Sequence, residues 1–405
     1  MSPRAYALIV DRSRAKSWRQ DDGSSFLSRH GIATVVVSDR RGAHYEGLPS
    51  DTRVHLVESL DHSSIRRVAE KYAPDLIGLS TCSELFVEDV ASVRAVLGIP
   101  GPQPGYTARL RDKWLMKETA ARAGIPTAWG VLAVDAASAL TSRPDAARLF
   151  LKPRNLSGSR GARELRGTDA ATAALDGISR HLEDFVVEEF IDGDLHHIDG
   201  FVSGGELAFT LSRYERPTHR AGGTVPLSSH TVDDPVLSGR AATFIRRVLA
   251  AWGVSQDVFH CEAFLVDGAF VFCEMAGRPG GAGVSGVFDL LRGRDLRFTK
   301  TALDLGLPAE AAPSRLRLRS RAGGWTVFYA PQPGQPGAAT TDSGGLSGHV
   351  WSDVRHTAEP AVAGYAGVGL ATYVFEGRTT AEVRRQIARY ESEWPVAPAA
   401  GPEAR

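Results

Sequence analysis

The chain has 405 residues, 43% of them hydrophobic, with 47 basic and 47 acidic side chains. This composition is typical of a globular protein of about two to three domains, and it excludes a fibrous or disordered chain. Balanced charge argues against binding nucleic acid through its phosphates. Three cysteines are too few for a disulfide framework, and no apolar stretch reaches the ~20 residues that span a membrane. We therefore expect a cytoplasmic protein that binds neither nucleic acid nor membranes.

Strand and helix patterns alternate along the first hundred residues. The predicted strands are residues 5–11, 32–38 and 75–80, and the predicted helices are residues 24–30, 64–72 and 84–97. Such alternation indicates a parallel, doubly wound sheet. The first strand is not followed by GxGxxG, so the sequence predicts a Rossmann-like fold without a dinucleotide fingerprint. A Pro/Gly segment at 99–106 marks a predicted domain boundary.

The later part of the chain mixes strands and helices in a less regular order. The predicted elements are a helix at 107–123, strands at 149–153 and 185–191, a hairpin of 198–202 and 206–211, a polar loop at 215–234, a helix at 236–252, a hairpin of 258–266 and 269–275, strands at 325–330 and 369–375 around a PQPGQPG turn, and a helix at 381–393. The last strands suggest an antiparallel subdomain. Residues 395–405, rich in Pro and Ala, are expected to form a frayed tail.

Two glutamates on the second long hairpin are candidate metal ligands. Glu262 and Glu274 have similar offsets from the Asp267-Gly268 turn, so both side chains can point to one face of the sheet. Two adjacent carboxylates repel each other, which favours a divalent cation between them, and ligand sets of oxygen alone favour Mg²⁺. The alternative is a pair of exposed acids on a solvated strand. The apolar residues around the two glutamates argue against it, because they indicate a half-buried hairpin.

A second group of residues could bind phosphates. Lys152 ends a predicted strand and precedes Ser157, Gly158, Ser159 and Gly161. Backbone N–H groups of such a loop can surround phosphate oxygens while the lysine supplies charge. A plain flexible surface loop is the alternative.

Two further segments carry candidate site residues. Arg278 precedes Gly280 and Gly281, and an arginine beside a metal pair suits a developing negative charge, while the glycines let a substrate approach the backbone. The segment EEFI at 188–191 ends a strand, where backbone donors and acceptors plus a carboxylate can bind the edge of adenine. Taken singly, the Arg278 segment is also compatible with a plain turn, and the EEFI segment with an edge strand that carries exposed acids.

Taken in order, four segments resemble the ATP-grasp superfamily: DKWLMKETAARAGIP, LFLKPRNLSGSRGA, VVEEFIDGDLHHIDG and HCEAFLVDGAFVFCEMAGRPGG. Within it, the chain resembles carboxylate–amine ligases that join amino acids, over nearly its whole length. The resemblance implies an α/β ATP-grasp fold. Its parts would be an N-terminal Rossmann-like domain with a parallel sheet (1–104), two α+β ATP-binding subdomains (105–184 and 185–308) and a C-terminal antiparallel subdomain (309–394).

The resemblance also implies a role for each matching residue. The phosphates of ATP would be bound by Lys113, Lys152 and the loop residues Ser157, Gly158, Ser159 and Gly161. Adenine would be held by Glu188, Glu189, Phe190 and Ile191. Mg²⁺, with Mn²⁺ as an alternative, would be held by Glu262 and Glu274. Catalytic roles fall to Lys152 and Arg278, and the substrate would contact Arg278, Gly280 and Gly281.

Two positions depart from the family pattern. Ala276 stands where many members have an asparagine that binds a second metal ion. Leu195 stands where many have a glutamate that binds the ribose of ATP, and Asp194 or His197 could take over that contact.

The polar loop at 215–234 is either a lid or a variable surface loop. As a lid, it would recognise the substrate carboxylate through Arg216, His219 or Arg220.

The activity implied by the resemblance is a two-step ligation. ATP phosphorylates a carboxylate, an amine attacks the acyl phosphate, and an amide forms with release of ADP and phosphate. Amino acids are the expected substrates, and a homodimer is left open. Three alternatives remain: an ATP-grasp carboxylase of central metabolism, a nucleotide-binding regulator without turnover, which Ala276 favours, and a Rossmann-type sugar or cofactor transferase.

Overall fold

The fold is built on three sheets that share one chain. The computed structural model describes residues 5–12, 15–39, 45, 47–48, 50–143, 147–221, 225–316, 320–329, 347–354 and 369–394. These residues form a parallel four-stranded sheet, an antiparallel four-stranded sheet and an antiparallel eight-stranded sheet. Within these described ranges, no helix is long and apolar enough to cross a membrane.

The N-terminal sheet has the strand order β3-β2-β1-β4 and is parallel throughout. Its elements are β1 (Ala5–Val10), β2 (Ile32–Ser38), β3 (Thr52–Leu56), α1 (His62–Glu70), β4 (Leu76–Ser80) and α2 (Val87–Leu97). The three predicted strands are confirmed as β1, β2 and β4. The helix predicted at 24–30 is only a 3₁₀ turn at Ser28–His30. The edge strand β3 was missed because its sequence, TRVHL, is only partly apolar.

The single helix predicted at 107–123 is two helices, α3 (Pro104–Arg109) and α4 (Lys113–Arg122). Asp112 separates them, because its carboxylate accepts hydrogen bonds from the backbone N–H groups of Trp114 and Leu115 and so caps α4. This cap places Lys113 at the first position of α4.

The small antiparallel sheet has the order β5-β8-β6-β7. Its elements are β5 (Gly130–Leu132), α5 (Ala133–Thr141), β6 (Arg148–Pro153), β7 (Arg163–Arg166), α6 (Gly167–Asp176) and β8 (Phe185–Glu189). The predicted strands at 149–153 and 185–191 are confirmed and pair with each other. The apolar residues of α5 and α6 cover this sheet. They were not recognised as helices because both segments are dominated by small residues.

The central sheet has the order β13-β12-β9-β10-β11-β14-β16-β15. Its strands are β9 (Asp194–Ser203), β10 (Glu206–Tyr214), β11 (Leu227–Thr231), β12 (Asp257–Val266), β13 (Ala269–Ala276), β14 (Ala322–Tyr329), β15 (Trp351–Val354) and β16 (Gly369–Gly377). Its helices are α7 (Pro235–Trp252), α8 (Val284–Arg292), α9 (Leu296–Asp304) and α10 (Thr380–Glu393). Both predicted hairpins are confirmed, and each is longer than predicted.

Strand β11 lies inside the predicted polar loop at 215–234, so that prediction was wrong for 227–231. The strand, LSSHT, is polar because its hydroxyls are used in the interior. Ser228 Oγ lies 2.7 Å from Thr326 Oγ1 and donates to Glu391 Oε1 at 2.5 Å. Through β11, the predicted C-terminal strands join the central sheet instead of forming a separate one. The PQPGQPG turn and the tail at 395–405 lie outside the described residues.

Strand alternation divides β12 between two cores. Phe259 and Cys261 belong to the core formed with α7, whereas Val258 packs with α8 and α9 on the opposite face. Since His260 and Glu262 have the same parity as Val258, they share the face of α8 and α9. This alternation decides on which side of the sheet the candidate site is built.

Candidate functional site

The two predicted metal ligands lie opposite each other on neighbouring strands. In the antiparallel register of β12 and β13, Glu262 pairs directly with Glu274. The prediction that both side chains lie on one face of the sheet is therefore confirmed. Their direct pairing depends on a bulge next to Glu262, because the register nearer the turn would place Glu262 opposite Cys273. The bulge leaves the two carboxylates together at the end of the hairpin remote from the Asp267-Gly268 turn.

The two glutamates have different surroundings. Glu262 is buried, and its Oε1 accepts a hydrogen bond of 2.8 Å from the Tyr214 hydroxyl and lies 3.5 Å from His260 Nε2. The side chain of Glu274 is 33% exposed and lies 3.5 Å from Lys113 Nζ. Burial acts to raise the pKa of Glu274, but the charges of Lys113 and Lys152 lower it overall, so this carboxylate is ionised at neutral pH.

Lys113 and Lys152 approach the glutamates from α4 and from the end of β6. Lys113 Nζ donates to the carbonyl oxygen of Leu156 at 2.6 Å, so it also anchors the loop that follows β6. Lys152 Nζ lies 2.9 Å from Glu188 Oε2. Burial acts to lower the pKa of Lys152, but the neighbouring carboxylates Glu188 and Glu274 raise it overall. Both lysines therefore lie close enough to Glu274 for their charges to act on it.

Glu188 is neutralised by two lysines, one of which sequence reasoning missed. Lys117 Nζ lies 3.1 Å from Glu188 Oε1, and Lys152 holds the other oxygen. Both oxygens of the Glu188 carboxylate are thus paired. Burial acts to raise the pKa of Glu188, but the two lysine charges lower it overall. Lys117 could have been found from its position one helical turn after Lys113, because the chain has only six lysines and two of them lie on the same face of this helix.

The side chains at the end of β8 point to different partners. The Glu189 carboxylate accepts a hydrogen bond of 2.8 Å from the backbone N–H of Trp129. The ring of Phe190 lies 6.2 Å from that of Phe150 on β6 and under the guanidinium of Arg148, at 3.8 Å. Both carboxylate oxygens of Glu188 are paired with lysines, so a contact of Glu188 with adenine would have to use its backbone.

The predicted phosphate loop has an unusual backbone. Gly158, Ser159 and Gly161 have positive φ angles of 64°, 54° and 72°. Ser159 adopts a left-handed backbone conformation that residues other than glycine rarely take. The N–H groups of Arg160 and Ala162 are bonded within the loop to the carbonyls of Ser157 and Ser159. A Cβ atom on Gly161 would lie 3.0 Å from the ring of Pro153, so this glycine is also required for close packing.

Arg278 is held by a glutamate from the N-terminal domain. Its Nε donates to Glu84 Oε2, and Arg111 Nη1 lies 3.2 Å from Glu84 Oε1. Burial acts to raise the pKa of Glu84, but the two guanidinium groups lower it overall. Glu84 was not identified from the sequence. It follows β4 in the segment TCSELF, and nothing local marks it as a partner of a residue 194 positions away.

The two glycines after Arg278 differ in their roles. A Cβ atom on Gly280 would lie 2.8 Å from His260 Nδ1 and 2.9 Å from Asp199 Oδ1, so only glycine fits there. A Cβ atom on Gly281 would meet open space. Gly280 therefore allows the backbone to approach the central sheet directly behind the glutamate pair.

The segment between β10 and β11 reaches across to the small sheet. The ring of His219 lies 5.3 Å from that of Phe150. Thr218 Oγ1 lies 3.2 Å from Ser159 Oγ, and Arg220 Nη2 lies 3.8 Å from Glu164 Oε2. This part of the predicted loop thus touches the predicted phosphate loop.

Arg216 does not take part in this contact. Its guanidinium donates to the carbonyl of Pro226 and to Glu391 Oε2 on α10, both at 2.6 Å. The predicted clamp on a substrate carboxylate does not fit Arg216, because both of its outer nitrogens are engaged in fastening α10.

Asp194 and His197, the two residues predicted to replace the ribose-binding glutamate, have different surroundings. Asp194 is exposed and forms an ion pair of 2.8 Å with Arg213. His197 is only 2% exposed, and its ring nitrogens contact Asp199 and, at 2.6 Å, Ser229 Oγ. A ribose contact therefore does not fit His197, which pairs with Glu262 in the register of β9 and β12. Leu195 packs into the core beneath α8 and α9.

Comparison with known proteins identifies the fold. No family model matches the sequence. An uncharacterized protein of Sinorhizobium fredii, y4rH, is 24% identical over 199 residues, which are 46% of this chain and 40% of that protein. The match thus spans less than half the length of this curated relative.

Several solved structures are similar to nearly the whole chain. The L-amino acid ligase from Bacillus licheniformis has a TM-score of 0.74 at 15% identity and covers 99% of this chain and all of its own. An N5-carboxyaminoimidazole synthase from Aspergillus clavatus, in complex with ADP and 5-aminoimidazole ribonucleotide, has a TM-score of 0.71 at 14% identity, covering 97% and 99%. The biotin carboxylase domain of a Hydrogenobacter thermophilus 2-oxoglutarate carboxylase has a TM-score of 0.70 at 15% identity, covering 98% and 91%. The chain therefore has the ATP-grasp fold.

Proposed function

We propose that this protein is an ATP-dependent ligase that joins a carboxylate to an amine and releases ADP and phosphate. The observation that carries the proposal is the direct pairing of Glu262 with Glu274, with the charges of Lys113, Lys152 and Arg278 acting on the second glutamate. Phosphoryl transfer depends mainly on positioning and charge neutralisation, and this group supports both. The similarity in fold to an L-amino acid ligase supports amino acids as the substrates.

In this proposal, the cleft between the two antiparallel sheets binds ATP. Lys113 and Lys152 bind the phosphates, and the loop at 157–161 covers them with its N–H groups. The backbone that follows Glu188 binds the adenine edge, since the carboxylate of Glu188 is used by Lys117 and Lys152. Phe190 provides an apolar surface beside the base.

Glu262 and Glu274 are proposed to hold Mg²⁺. The donor set fits a hard cation, because only one oxygen of Glu262 is used by Tyr214 and Glu274 is partly exposed and ionised. When bound, the ion neutralises charge on the phosphates. Ala276, which pairs with His260 at the end of β13, offers no side-chain oxygen, so a second ion would bind more weakly.

Arg278 is proposed to act at the reacting carbonyl. The substrate carboxylate attacks the γ-phosphate, so no nucleophile from the protein is needed. The guanidinium then stabilises the negative charge of the acyl phosphate and of the tetrahedral intermediate that the amine forms. Glu84 holds Arg278 in orientation from the N-terminal domain.

The test is an assay of ADP, AMP and phosphate with ATP, Mg²⁺ and pools of amino acids. We expect ADP and phosphate in equal amounts, formed only with a productive pool, and an amide product by mass spectrometry. The variant Glu274→Gln should abolish this release. Its matched control is Glu206→Gln, because Glu206 is an exposed glutamate at the start of β10.

Each other outcome contradicts part of the proposal. AMP and pyrophosphate would mean adenylation and would remove the roles of Arg278 and the glutamate pair in an acyl-phosphate route. Release of ADP that needs bicarbonate and no amine would mean a carboxylase. Tight ATP binding without turnover in any pool would favour a nucleotide-binding regulator.

A further inference from the structure

Three buried side chains with metal-binding atoms meet behind the glutamate pair. They are His197 and Asp199 on β9 and His260 on β12, and one ligand atom from each lies within 4.8 Å of the others. The two imidazoles each contact a different oxygen of Asp199 through Nδ1, at 2.6 Å for His260. The exposed fractions of the His197 and Asp199 side chains are 2% and 0%. None of these residues has a role in the proposed ligation.

The outer nitrogens of both rings have acceptors. His260 Nε2 lies 3.5 Å from Glu262 Oε1, which already receives a hydrogen bond from Tyr214 and can only accept. His197 Nε2 lies 2.6 Å from Ser229 Oγ, whose own hydrogen is donated to the carbonyl of Arg213 at 2.9 Å. These contacts favour a proton on Nε2 in both rings. Histidines that bind metals are oriented in this way, with the outer N–H donated to an acceptor.

With the outer nitrogens protonated and Asp199 ionised, two arrangements satisfy both inner nitrogens. Asp199 can only accept, so each Nδ1 either carries a second proton or shares a cation with the carboxylate. The first arrangement places two imidazolium ions on one buried carboxylate, which costs solvation energy. The second needs two neutral imidazoles and one divalent ion. Because the ion replaces two protons, the charge of the cluster is the same in both.

The backbone approaches the ligand atoms closely at Gly280. The missing side chain of Gly280 would lie 2.8 Å from His260 Nδ1 and 2.9 Å from Asp199 Oδ1. A methyl group of Val284 would lie 2.9 Å from the same point, so any side chain at this position would crowd the two ligand atoms. An apolar side chain there would displace an ion from both ligands.

We propose that His197, Asp199 and His260 bind one divalent transition-metal ion of the Zn²⁺ class. Two imidazoles and one carboxylate form a donor set that suits Zn²⁺ or Co²⁺ better than Mg²⁺. The ion enters as the two Nδ1 protons leave to solvent. Bound there, it links β9 to β12 directly beneath Glu262, so its role is structural and lies outside the reaction.

The test measures metal content and does not depend on turnover. Protein treated with a chelator is loaded with Zn²⁺ or Co²⁺, passed over a desalting column and analysed by mass spectrometry for the metal. We expect about one equivalent in the wild type and in Glu274→Gln, and less than about a tenth in His197→Gln. The control is His196→Gln, which removes a neighbouring histidine, equally buried at 2% exposure, that contacts Asp194 and Phe270 instead.

Two further measurements keep the proposal open to contradiction if His197→Gln folds poorly. Ser229→Ala retains all three ligands but removes one acceptor, and should weaken Zn²⁺ binding about 10- to 100-fold. The Co²⁺-loaded wild type should show visible d–d absorption, and Zn²⁺ should raise its melting temperature.

Three results would overturn the site. The first is a wild type that retains no metal and has an unchanged melting temperature, which would mean a hydrogen-bonded cluster only. The second is equal retention by His197→Gln. The third is loss of the metal in Glu274→Gln with retention in His197→Gln, which would assign the ion to the glutamate pair. A failure of the proposed ligation leaves all of these measurements unaffected.

Discussion

Glu188 and Glu274 are both carboxylates whose charges act on Lys152, but they differ in how closely lysines pair with them. Glu188 has lysine nitrogens at 3.1 and 2.9 Å, one on each oxygen. Glu274 has one lysine at 3.5 Å, and a third of its side chain is exposed. A carboxylate paired on both oxygens has none left for a ligand, whereas an underpaired one is available to a ligand. The comparison shows that two neighbouring carboxylates differ in what they can bind.

The largest expected effect is on stability, at Glu188. Replacing it in Glu188→Gln removes the close ion-pair partner of two buried lysines and leaves Lys152 with only the more distant charge of Glu274. We expect the free energy of unfolding to fall by about 3–5 kcal/mol. Urea denaturation measures this. The second variant Glu188→Gln with Lys117→Met should recover part of the loss, because one of the two unpaired charges is removed. A loss below about 1 kcal/mol would show that the lysines do not depend on Glu188.

Glu274→Gln should have the opposite profile. We expect ADP formation to fall by at least about 100-fold, because an anionic ligand for the metal is lost. The free energy of unfolding should change by less than about 1 kcal/mol, since the only close ion pair of Glu274 in the described part of the chain is partly exposed. Steady-state kinetics and urea denaturation of the same preparation check both. Normal turnover would remove Glu274 from the metal site.

Glu84 extends the comparison to a carboxylate held by two arginines. Since its pKa is lowered in the fold, its stabilising contribution is complete above the unfolded pKa of about 4.3 and is lost as pH falls through the lower folded value. We expect Glu84→Gln to lower the free energy of unfolding at pH 7 by about 2 kcal/mol. The difference from the wild type should shrink below about pH 4.3. A difference that stays constant with pH would contradict the ion pairing.

The smallest effect is expected at Arg216. Because its guanidinium fastens α10 through Glu391, Arg216→Lys should leave KM for every substrate within about twofold, while the matched change Arg278→Lys should lower kcat by about 100-fold. Kinetics on the productive amino-acid pool distinguish the two. A large rise in KM for the carboxylate substrate in Arg216→Lys would restore the predicted clamp.

Most of the chain's elements, and the proximity of the two glutamates, could be predicted from the sequence. The strands at 5–11, 32–38 and 75–80 are apolar runs bounded by breakers, and both hairpins have turn residues at their tips. Counting from the Asp267-Gly268 turn places Glu262 and Glu274 at similar offsets, but their direct pairing depends on a bulge that the count does not contain. Strand β11 could not be predicted, because its polar side chains are satisfied by partners on β9, β14 and α10.

The sequence by itself therefore determined the charged groups that lie close to a turn or a strand end, namely Lys152, Glu262, Glu274 and Arg278. Only the tertiary structure decided which of the remaining charges meet them. Glu84 reaches Arg278 over 194 residues, and Asp199 reaches His260 over 61. Local patterns record the periodicity of helices and strands, whereas the partners of a buried charge are chosen by sheet order and domain packing, which no local pattern contains.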